Sequence, residues 1–154
     1  MCAGVAVLES ELPWDMAARL GRRLHRRGEG LEGELRFLYR DRDPELPVWH
    51  DGTRKLVRWG SRDRKGQLPT TGWTWKDTVA SGGWEPFGAV PVDIICSLGY
   101  EKGVWFRVRQ GIRGLLVADE LGEPRVYMLC EPATRYYRIM TRSERMPVLI
   151  EDVI

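Results

Sequence analysis

The sequence predicts an α+β fold with a mainly antiparallel, barrel-like β core and a few helices, in one domain over residues 1–154. Two observations predict it. Beyond Gly30 the chain consists mostly of short segments with alternating or continuous apolar residues, separated by Gly, Pro and Asp, as in a curled sheet. One longer amphipathic stretch precedes them and carries the signals of a helix. A chain of 154 residues with 43% hydrophobic content is large enough to bury a sizeable core.

The first two elements are a strand and a helix. The apolar residues around Val5 and Val7 predict the strand. Residues 10–30 predict the helix, with Pro13 in its first turn and Gly28 at its end. Its apolar face comprises Trp14, Ala17, Leu20 or Gly21, and Leu24. Five arginines lie largely outside that face: Arg19, Arg22, Arg23, Arg26 and Arg27. This charge run is a solvated face or a binding surface, and the sequence leaves both open.

Seven later segments predict strands. They read "ELRFLYR", "LPVWH", "RKLVRWG", "VDIICSL", "GVWFRVR", "RGLLVAD" and "PRVYMLC". Residues 60–91 interrupt this series, because they are rich in Gly and Pro and yet carry Trp73, Trp75 and Trp84. We expect this segment to be an ordered loop packed on the sheet, with its tryptophans used for packing.

The charge composition permits a nucleic-acid partner. Formal net charge is only +2, but 20 of the 24 basic residues are arginines. A guanidinium matches phosphate geometry and stacks on aromatic rings better than an ammonium does, although this composition does not require such a partner. No apolar run approaches the roughly 20 residues that span a bilayer, and the first residues lack the pattern of a signal peptide. We therefore expect a cytoplasmic protein without a membrane partner.

Cysteines and histidines give no sign of a metal site. Cys2, Cys96 and Cys130 are widely spaced with no CxxC pair, which predicts reduced thiols. Cys96 and Cys130 lie in apolar strand patterns and are predicted core residues. His25 and His50 are far apart in the sequence, so we expect no metal and no cofactor. Taken alone, Cys2 is most simply a small buried hydrophobe.

Four short phrases change the interpretation of Cys2. They are the initial "MC", "RWG" at residues 58–60, "GYE" at residues 99–101 and "RMPVLI" at residues 145–150. In this order and at this approximate spacing they resemble the SRAP family (SOS-response-associated peptidase), whose members form covalent crosslinks to DNA at abasic sites. The resemblance extends over nearly the whole chain. It implies a barrel-like β core and a DNA-binding groove that leads to the processed N-terminus.

The resemblance implies two catalytic residues, Cys2 as the crosslinking residue and Glu101 as the active-site glutamate. Removal of Met1 would give Cys2 an α-amine and a thiol on adjacent carbons. Such a 1,2-aminothiol attacks an aldehyde through nitrogen and closes through sulfur to a thiazolidine, and a ring-opened abasic sugar presents an aldehyde. At ordinary pKa values of about 8 and 8.5, roughly a tenth of the amine and a few per cent of the thiol are nucleophilic at pH 7. We expect Met1 to be removed, because methionine aminopeptidases accept a small second residue.

Glu101 would move protons during sugar ring opening and imine formation. Its alternative interpretation is a surface glutamate after a turn. For the DNA contact, Arg58 and Arg145 would pair with phosphates while Trp59 stacks on a base. Trp59 is equally an inward-facing strand residue in pattern, and "RMPVLI" is equally an edge strand that tolerates Pro147 near its start.

The chain also departs from the family pattern. Ser143 stands where the family has a histidine two residues before the arginine of "RMP". The chain contains no asparagine, so the family's active-site asparagine has no counterpart. Trp73 and Trp75 occupy the positions of the two polar residues that precede the Glu-Thr pair of the family, matched here by Asp77 and Thr78.

Three functions follow as hypotheses. The first is crosslinking of abasic sites in single-stranded DNA through processed Cys2. The second is a non-catalytic nucleic-acid-binding module that retains the fold. The third is a thiol peptidase, which is the weakest because no histidine matches the family position for activating the thiol.

Overall fold

Twelve strands and three α-helices make up residues 2–151, the part of the chain that the computed structural model describes. In chain order they are β1 (Gly4–Leu8), α1 (Trp14–Arg19), β2 (Leu24–His25), β3 (Glu34–Leu38), β4 (Glu45–His50), β5 (Thr53–Trp59), β6 (Trp73–Trp75), α2 (Lys76–Ala80), β7 (Val90–Ile94), β8 (Leu98–Glu101), β9 (Val104–Arg107), β10 (Ile112–Ala118), β11 (Pro124–Pro132), α3 (Arg135–Thr141) and β12 (Arg145–Pro147).

The strands form two sheets. The first is antiparallel, with the order β2-β3-β1-β8-β9. In the second, β10, β7, β4, β5 and β11 pair in that order, and an additional pairing of β10 with β11 closes the five strands into a barrel. β6 and β12 add to β11, β6 in parallel and β12 antiparallel. The predicted α+β fold with a barrel-like β core is therefore confirmed.

The core contains side chains from both sheets. Val5 and Leu35 of the first sheet belong to the same buried cluster as Val48 and Ile94 of the barrel. All seven segments predicted as strands contain a strand, and so does the stretch around Val5 and Val7. Continuous apolar runs detect strands such as β1 and β4, in which consecutive residues are buried, whereas alternation detects the ends of β5 and β7, which have one face toward this core.

The segment 60–91 is ordered and packs on the barrel, as predicted, but the prediction of a loop is wrong for residues 73–80, which form a strand paired with β11 and a helix. It contains β6, α2 and a 3-10 turn at Glu85–Phe87. Trp84 is buried, and its ring lies 4.7 Å from that of Tyr127 on β11. Its indole nitrogen donates to the Thr74 hydroxyl at 2.7 Å. The tryptophans of this segment therefore anchor it to the barrel.

The predicted helix over residues 10–30 is wrong in extent. Only residues 14–19 are α-helical, followed by a 3-10 turn at Gly21–Arg23 and by β2. Two tertiary interactions override the helical pattern: Leu24 pairs with Leu35 in the sheet, and the Arg23 guanidinium forms ion pairs with Asp41 and Glu45. Among residues 2–151, no helix is long and apolar enough to cross a bilayer.

The backbone conformation at Gly60 explains why the "RWG" phrase ends with a glycine. Gly60 directly follows β5 and has a φ of 68°, in the left-handed region. A Cβ at this position would lie 2.1 Å from the carbonyl oxygen of Thr71. Gly52, in the turn between β4 and β5, also has a positive φ, of 72°, but has open space around it. Both glycines therefore have a backbone conformation that is strained for other residues, but only Gly60 also lacks space for a side chain.

Gly60→Ala should destabilise the protein much more than Gly52→Ala. Left-handed strain alone costs about 1 to 2 kcal/mol, which is the effect expected at Gly52. At Gly60 the backbone must also shift away from Thr71, so we expect a loss of roughly 3 kcal/mol or more. Urea denaturation measures both values. Equal losses in the two variants would show that the approach of Thr71 does not constrain this position.

Candidate active site

The main chain at Cys2 and Ala3 is fixed by strands on both sides. These residues precede β1, the middle strand of the first sheet. The Ala3 N–H donates to the Tyr100 carbonyl of β8 at 2.7 Å, and the Ala3 carbonyl accepts from the Tyr39 N–H at 3.0 Å. The ladder therefore extends one residue beyond the strand, which leaves the main chain at Cys2 little freedom.

Cys2 itself is buried, with 1% of its surface exposed. Its thiol donates to the Gly4 carbonyl at 3.1 Å. Its own carbonyl accepts a hydrogen bond of 2.9 Å from the indole nitrogen of Trp73, on the barrel strand β6. Cys96 and Cys130 are also buried free thiols, as predicted.

Burial raises the pKa of the Cys2 thiol to about 12. Main-chain hydrogen bonds to Tyr100 and Gly4 act against burial, and the nearby Glu101 carboxylate makes a smaller contribution that raises the pKa. A thiol with such a pKa is ionised to roughly one part in 10⁵ at pH 7. The thiol is nearly all protonated because an anion in the core loses its hydration. The expected few per cent of thiolate refers to Cys2 after removal of Met1 and stays a prediction.

Glu101 is not a surface residue. It ends β8 immediately before a two-residue turn, in which Lys102 and Gly103 have φ values of 46° and 84°. Positive φ at both positions matches the twist of an antiparallel hairpin. The turn directs β9 back along β8, and the Glu101 side chain faces inward with 4% of its surface exposed. The alternative of a surface glutamate after a turn is thus wrong.

The loop that follows α3 forms the third part of the site, beside the segment at Cys2 and the hairpin at Glu101. Arg142 ends this helix in the left-handed conformation, with a φ of 60°. Ser143, at the position of the family histidine, is buried, and its hydroxyl donates to the Arg145 carbonyl at 3.1 Å. The exposed Arg145 begins β12, and its guanidinium lies 4.7 Å from the centre of the Trp75 ring. β12 lies at the end of the strand order, in agreement with an edge strand.

These parts meet at one open cleft of about 430 Å³. Its walls are Ala3, Trp73, Glu101, Lys102, Arg142, Ser143, Glu144 and Arg145. The Lys102 ammonium donates to the Arg142 carbonyl at 2.8 Å and so ties the hairpin to the loop after α3. Cys2 lies behind the wall that Ala3 and Trp73 form. The cleft combines a buried carboxyl group with three cationic side chains.

Of the predicted site residues, Cys2, Arg58 and Trp59 do not line this cleft. Trp59 is 2% exposed, and its indole nitrogen donates to the Gly72 carbonyl at 2.8 Å. Its ring lies 5.5 Å from that of Trp73, one layer behind the cleft. This placement agrees with the inward-facing alternative, and a base has no access to the ring. Arg58 is exposed on β5, opposite Glu45 of β4.

Four residues of the cleft were missed from sequence: Trp73, Lys102, Arg142 and Glu144. The adjacent Lys-Gly pair after "GYE" is a turn signal that could have placed Lys102 beside Glu101. His50 lies on β4 beside Asp51 and does not line the cleft. Within residues 2–151, no group of three or more His, Cys, Asp or Glu residues is arranged to hold a metal ion.

Comparisons with protein-family models, with curated proteins and with solved structures find no match for this chain. The resemblance to the SRAP family accordingly stays a prediction, and Met1, whose removal it requires, lies outside the described residues.

The charge of Glu101 should control ionisation of the Cys2 thiol. Glu101→Gln removes a negative charge that raises this pKa, so the pH profile for alkylation of Cys2 by iodoacetamide should move to lower pH. Mass spectrometry of the native protein resolves each cysteine. Cys130 is the internal control, because Glu101 does not contribute to the raised pKa of its thiol.

Glu144→Gln is the matched control variant. It removes another carboxylate of the same cleft, one that pairs with Arg138 at 3.6 Å and does not contribute to the raised pKa of Cys2. We expect its Cys2 profile to match that of the unchanged protein. Identical profiles for the Glu101 and Glu144 variants would contradict an electrostatic coupling between Glu101 and Cys2.

Proposed function

We propose that this protein forms a covalent crosslink to abasic sites in single-stranded DNA through Cys2, after removal of Met1, and that it acts in the cytoplasm. The observation that carries the proposal is the cleft beside Cys2. There, two segments far apart in sequence supply a buried carboxyl group, from Glu101, and cationic groups, from the neighbouring Lys102 and from Arg145. An aldehyde carried by a phosphodiester chain needs both kinds of group. No cofactor takes part in the proposed reaction.

The nitrogen makes the first bond. With a pKa of about 12 the thiol is almost entirely protonated at neutral pH, whereas an α-amine of ordinary pKa, about 8, is partly neutral. The Glu101 carboxylate takes a proton from the α-ammonium group of Cys2, and the neutral amine adds to the C1′ aldehyde carbon and gives a carbinolamine. Loss of its hydroxyl as water, with a proton from the Glu101 carboxylic acid, leaves an iminium ion and a carboxylate.

The sulfur makes the second bond. As it adds to the iminium carbon, the thiol proton passes to the Glu101 carboxylate, and the electron pair of the C=N bond returns to nitrogen. A thiazolidine forms, one water has left, and Glu101 is again protonated. Glu101 thus acts as general acid and then as general base. The negative charge of the Glu101 carboxylate opposes formation of a free thiolate at Cys2. The thiol therefore has to lose its proton while its sulfur attacks the iminium carbon.

Arg145 and Lys102 would hold the strand. Arg145 is the arginine of the predicted DNA-binding set that lines the cleft, and the Trp75 ring beneath it fixes the position of its guanidinium. The guanidinium would bind a phosphate next to the abasic sugar. Arg58 lies outside the cleft and would contact a more distant phosphate.

A second candidate function is a non-catalytic nucleic-acid-binding module. Two observations favour it: the thiol of Cys2 is buried, and the hydroxyl of Ser143 occupies the family's histidine position and hydrogen-bonds within its own loop. Such a module would bind single strands without forming an adduct. The peptidase has less support, because the cleft has no histidine among its walls to activate a thiol.

Cys2→Ala should abolish the crosslink. The full-length protein is incubated with an oligonucleotide that carries one abasic site, and the adduct is resolved on a denaturing gel. Cys130→Ala, which removes another buried thiol, is the matched control and should crosslink normally. An adduct that persists in Cys2→Ala would refute the assignment of the nucleophile. Binding without any adduct in the unchanged protein would favour the non-catalytic module.

Glu101→Gln should slow the crosslink by roughly 10²-fold, since an amide cannot exchange the proton and general acid–base catalysis is typically worth about 10² to 10⁴-fold. Affinity for an oligonucleotide without an abasic site should stay the same. Glu144→Gln is the control and should react at the rate of the unchanged protein. Quenched time courses at saturating oligonucleotide measure the rates, and equal rates for both variants would exclude Glu101 from proton transfer.

A further inference from the structure

A second cleft, of about 630 Å³, lies between the 3-10 turn that follows α1 and the turn between β3 and β4. Its walls contain four arginines, Arg22, Arg23, Arg36 and Arg42, and two aspartates. We name it the arginine cleft. Nothing in the sequence resemblance assigns a role to it.

Two of these arginines are held in place by acidic and aromatic neighbours. The Arg23 guanidinium pairs with Asp41 at 3.3 Å and with Glu45 at 3.0 Å, and it lies 4.9 Å from the centre of the Phe37 ring. Arg23 and its two carboxylates form a rigid part of the wall that carries no surplus of positive charge. Arg36 is fixed in the same manner, by the buried carboxylate of Glu34 and the ring of Trp105.

The other two arginines are exposed and unpaired. Within residues 2–151, neither Arg22 nor Arg42 forms an ion pair, and Asp43 is the one carboxylate of the cleft walls without a cationic partner. The positive charge of Arg22 and Arg42, offset in part by Asp43, therefore lies on exposed side chains that are free to meet a ligand.

Arg62 extends this charge toward the candidate active site. Its guanidinium donates to the main-chain carbonyls of Tyr39 and Arg42, and it lies 5.0 Å from the centre of the Tyr39 ring. In the described part of the chain it pairs with no carboxylate. The Tyr39 ring in turn lies 4.5 Å from that of Trp73, which forms a wall of the active-site cleft. Arg22, Arg42, Arg62 and Tyr39 thus connect the two clefts.

We infer that the arginine cleft binds phosphodiester groups of a single-stranded nucleic acid and holds the strand on one side of the active-site cleft. The three unpaired guanidiniums belong to Arg22 and Arg42 in the walls of the arginine cleft and to Arg62 beside it. A single strand presents several phosphodiester groups in a row, so that each guanidinium can pair with the oxygens of a different phosphate. The identity of the ligand as a single strand rests on the proposed function; the cleft and its charge do not.

The test compares two double variants with the same loss of charge. Arg22→Gln with Arg42→Gln removes the two unpaired guanidiniums of the arginine cleft. Arg109→Gln with Arg113→Gln is the control, because both residues are exposed, form no ion pair within residues 2–151 and lie outside both clefts. The probe is a fluorescein-labelled oligonucleotide without an abasic site, and anisotropy gives the Kd over a range of salt concentrations. Urea midpoints verify that both variants fold.

We expect the Arg22, Arg42 variant to bind roughly tenfold more weakly at low salt. Its plot of log affinity against log salt should become less steep by about 1.4, since each phosphate contact on a single strand contributes about 0.7. The control should keep the slope of the unchanged protein. Equal affinities and slopes in the two variants would overturn the inference, and so would an unchanged protein that does not bind the probe.

The crosslinking assay separates this inference from the proposed function. Weaker binding in the Arg22, Arg42 variant together with no adduct in the unchanged protein supports the arginine cleft and refutes the crosslinking function. If the unchanged protein forms the adduct but the Arg22, Arg42 variant binds the oligonucleotide normally, the crosslinking function is supported and the role of the arginine cleft is refuted. A peptide with several phosphoserines serves as a competitor; displacement of the oligonucleotide at equal phosphate concentration would overturn the assignment to nucleic acid.

Discussion

The hydrogen bond from the indole of Trp73 to the Cys2 carbonyl joins the barrel to the central strand of the first sheet, and the candidate active site depends on it. The Trp73 ring packs edge-on against Tyr39 and Trp59, and each such aromatic pair typically contributes about 0.5 to 1.5 kcal/mol beyond the apolar area that it buries. Trp59 is itself anchored to the Gly72 carbonyl. Two sheets that share only an apolar core could slide relative to each other. The hydrogen bond from Trp73 prevents this, because it fixes Cys2 relative to β6 and so defines the wall of the cleft.

Burial and charge act in the same direction at Cys2, and this decides the kind of chemistry that the site favours. Both lost hydration and the proximity of Glu101 disfavour the thiolate. Enzymes that attack with a free thiolate supply the opposite environment, with a nearby cation or a helix N-terminus. A protonated thiol beside a carboxyl group suits instead a reaction in which sulfur adds second, to an electrophile that nitrogen has already activated. The environment thus supports the proposed aminothiol reaction over a peptidase nucleophile.

Sequence patterns predicted the strands well and the site only in part. Strands such as β5 and β7 alternate toward their ends because one face meets the core, and this signal is local. The helix over residues 10–30 was overestimated because Arg23 finds its partners, Asp41 and Glu45, in another part of the chain. Glu101, Ser143 and Arg145 were singled out by phrases, yet their meeting depends on the Lys102 ammonium reaching the Arg142 carbonyl, 40 positions away. No periodicity encodes such a contact.

The position of β1 between β3 and β8 has a consequence for the order of events during synthesis. β3 follows β1 closely, but β8 begins only at Leu98. At about 5 to 20 residues per second, a ribosome needs roughly 5 to 20 seconds to proceed from one to the other. During that interval the Tyr100 carbonyl that later accepts from the Ala3 N–H has not been synthesised. The side of Cys2 that later faces β8 is therefore uncovered. A thiol that the finished fold withholds from solvent is therefore accessible to processing enzymes and oxidants while the chain is still being made.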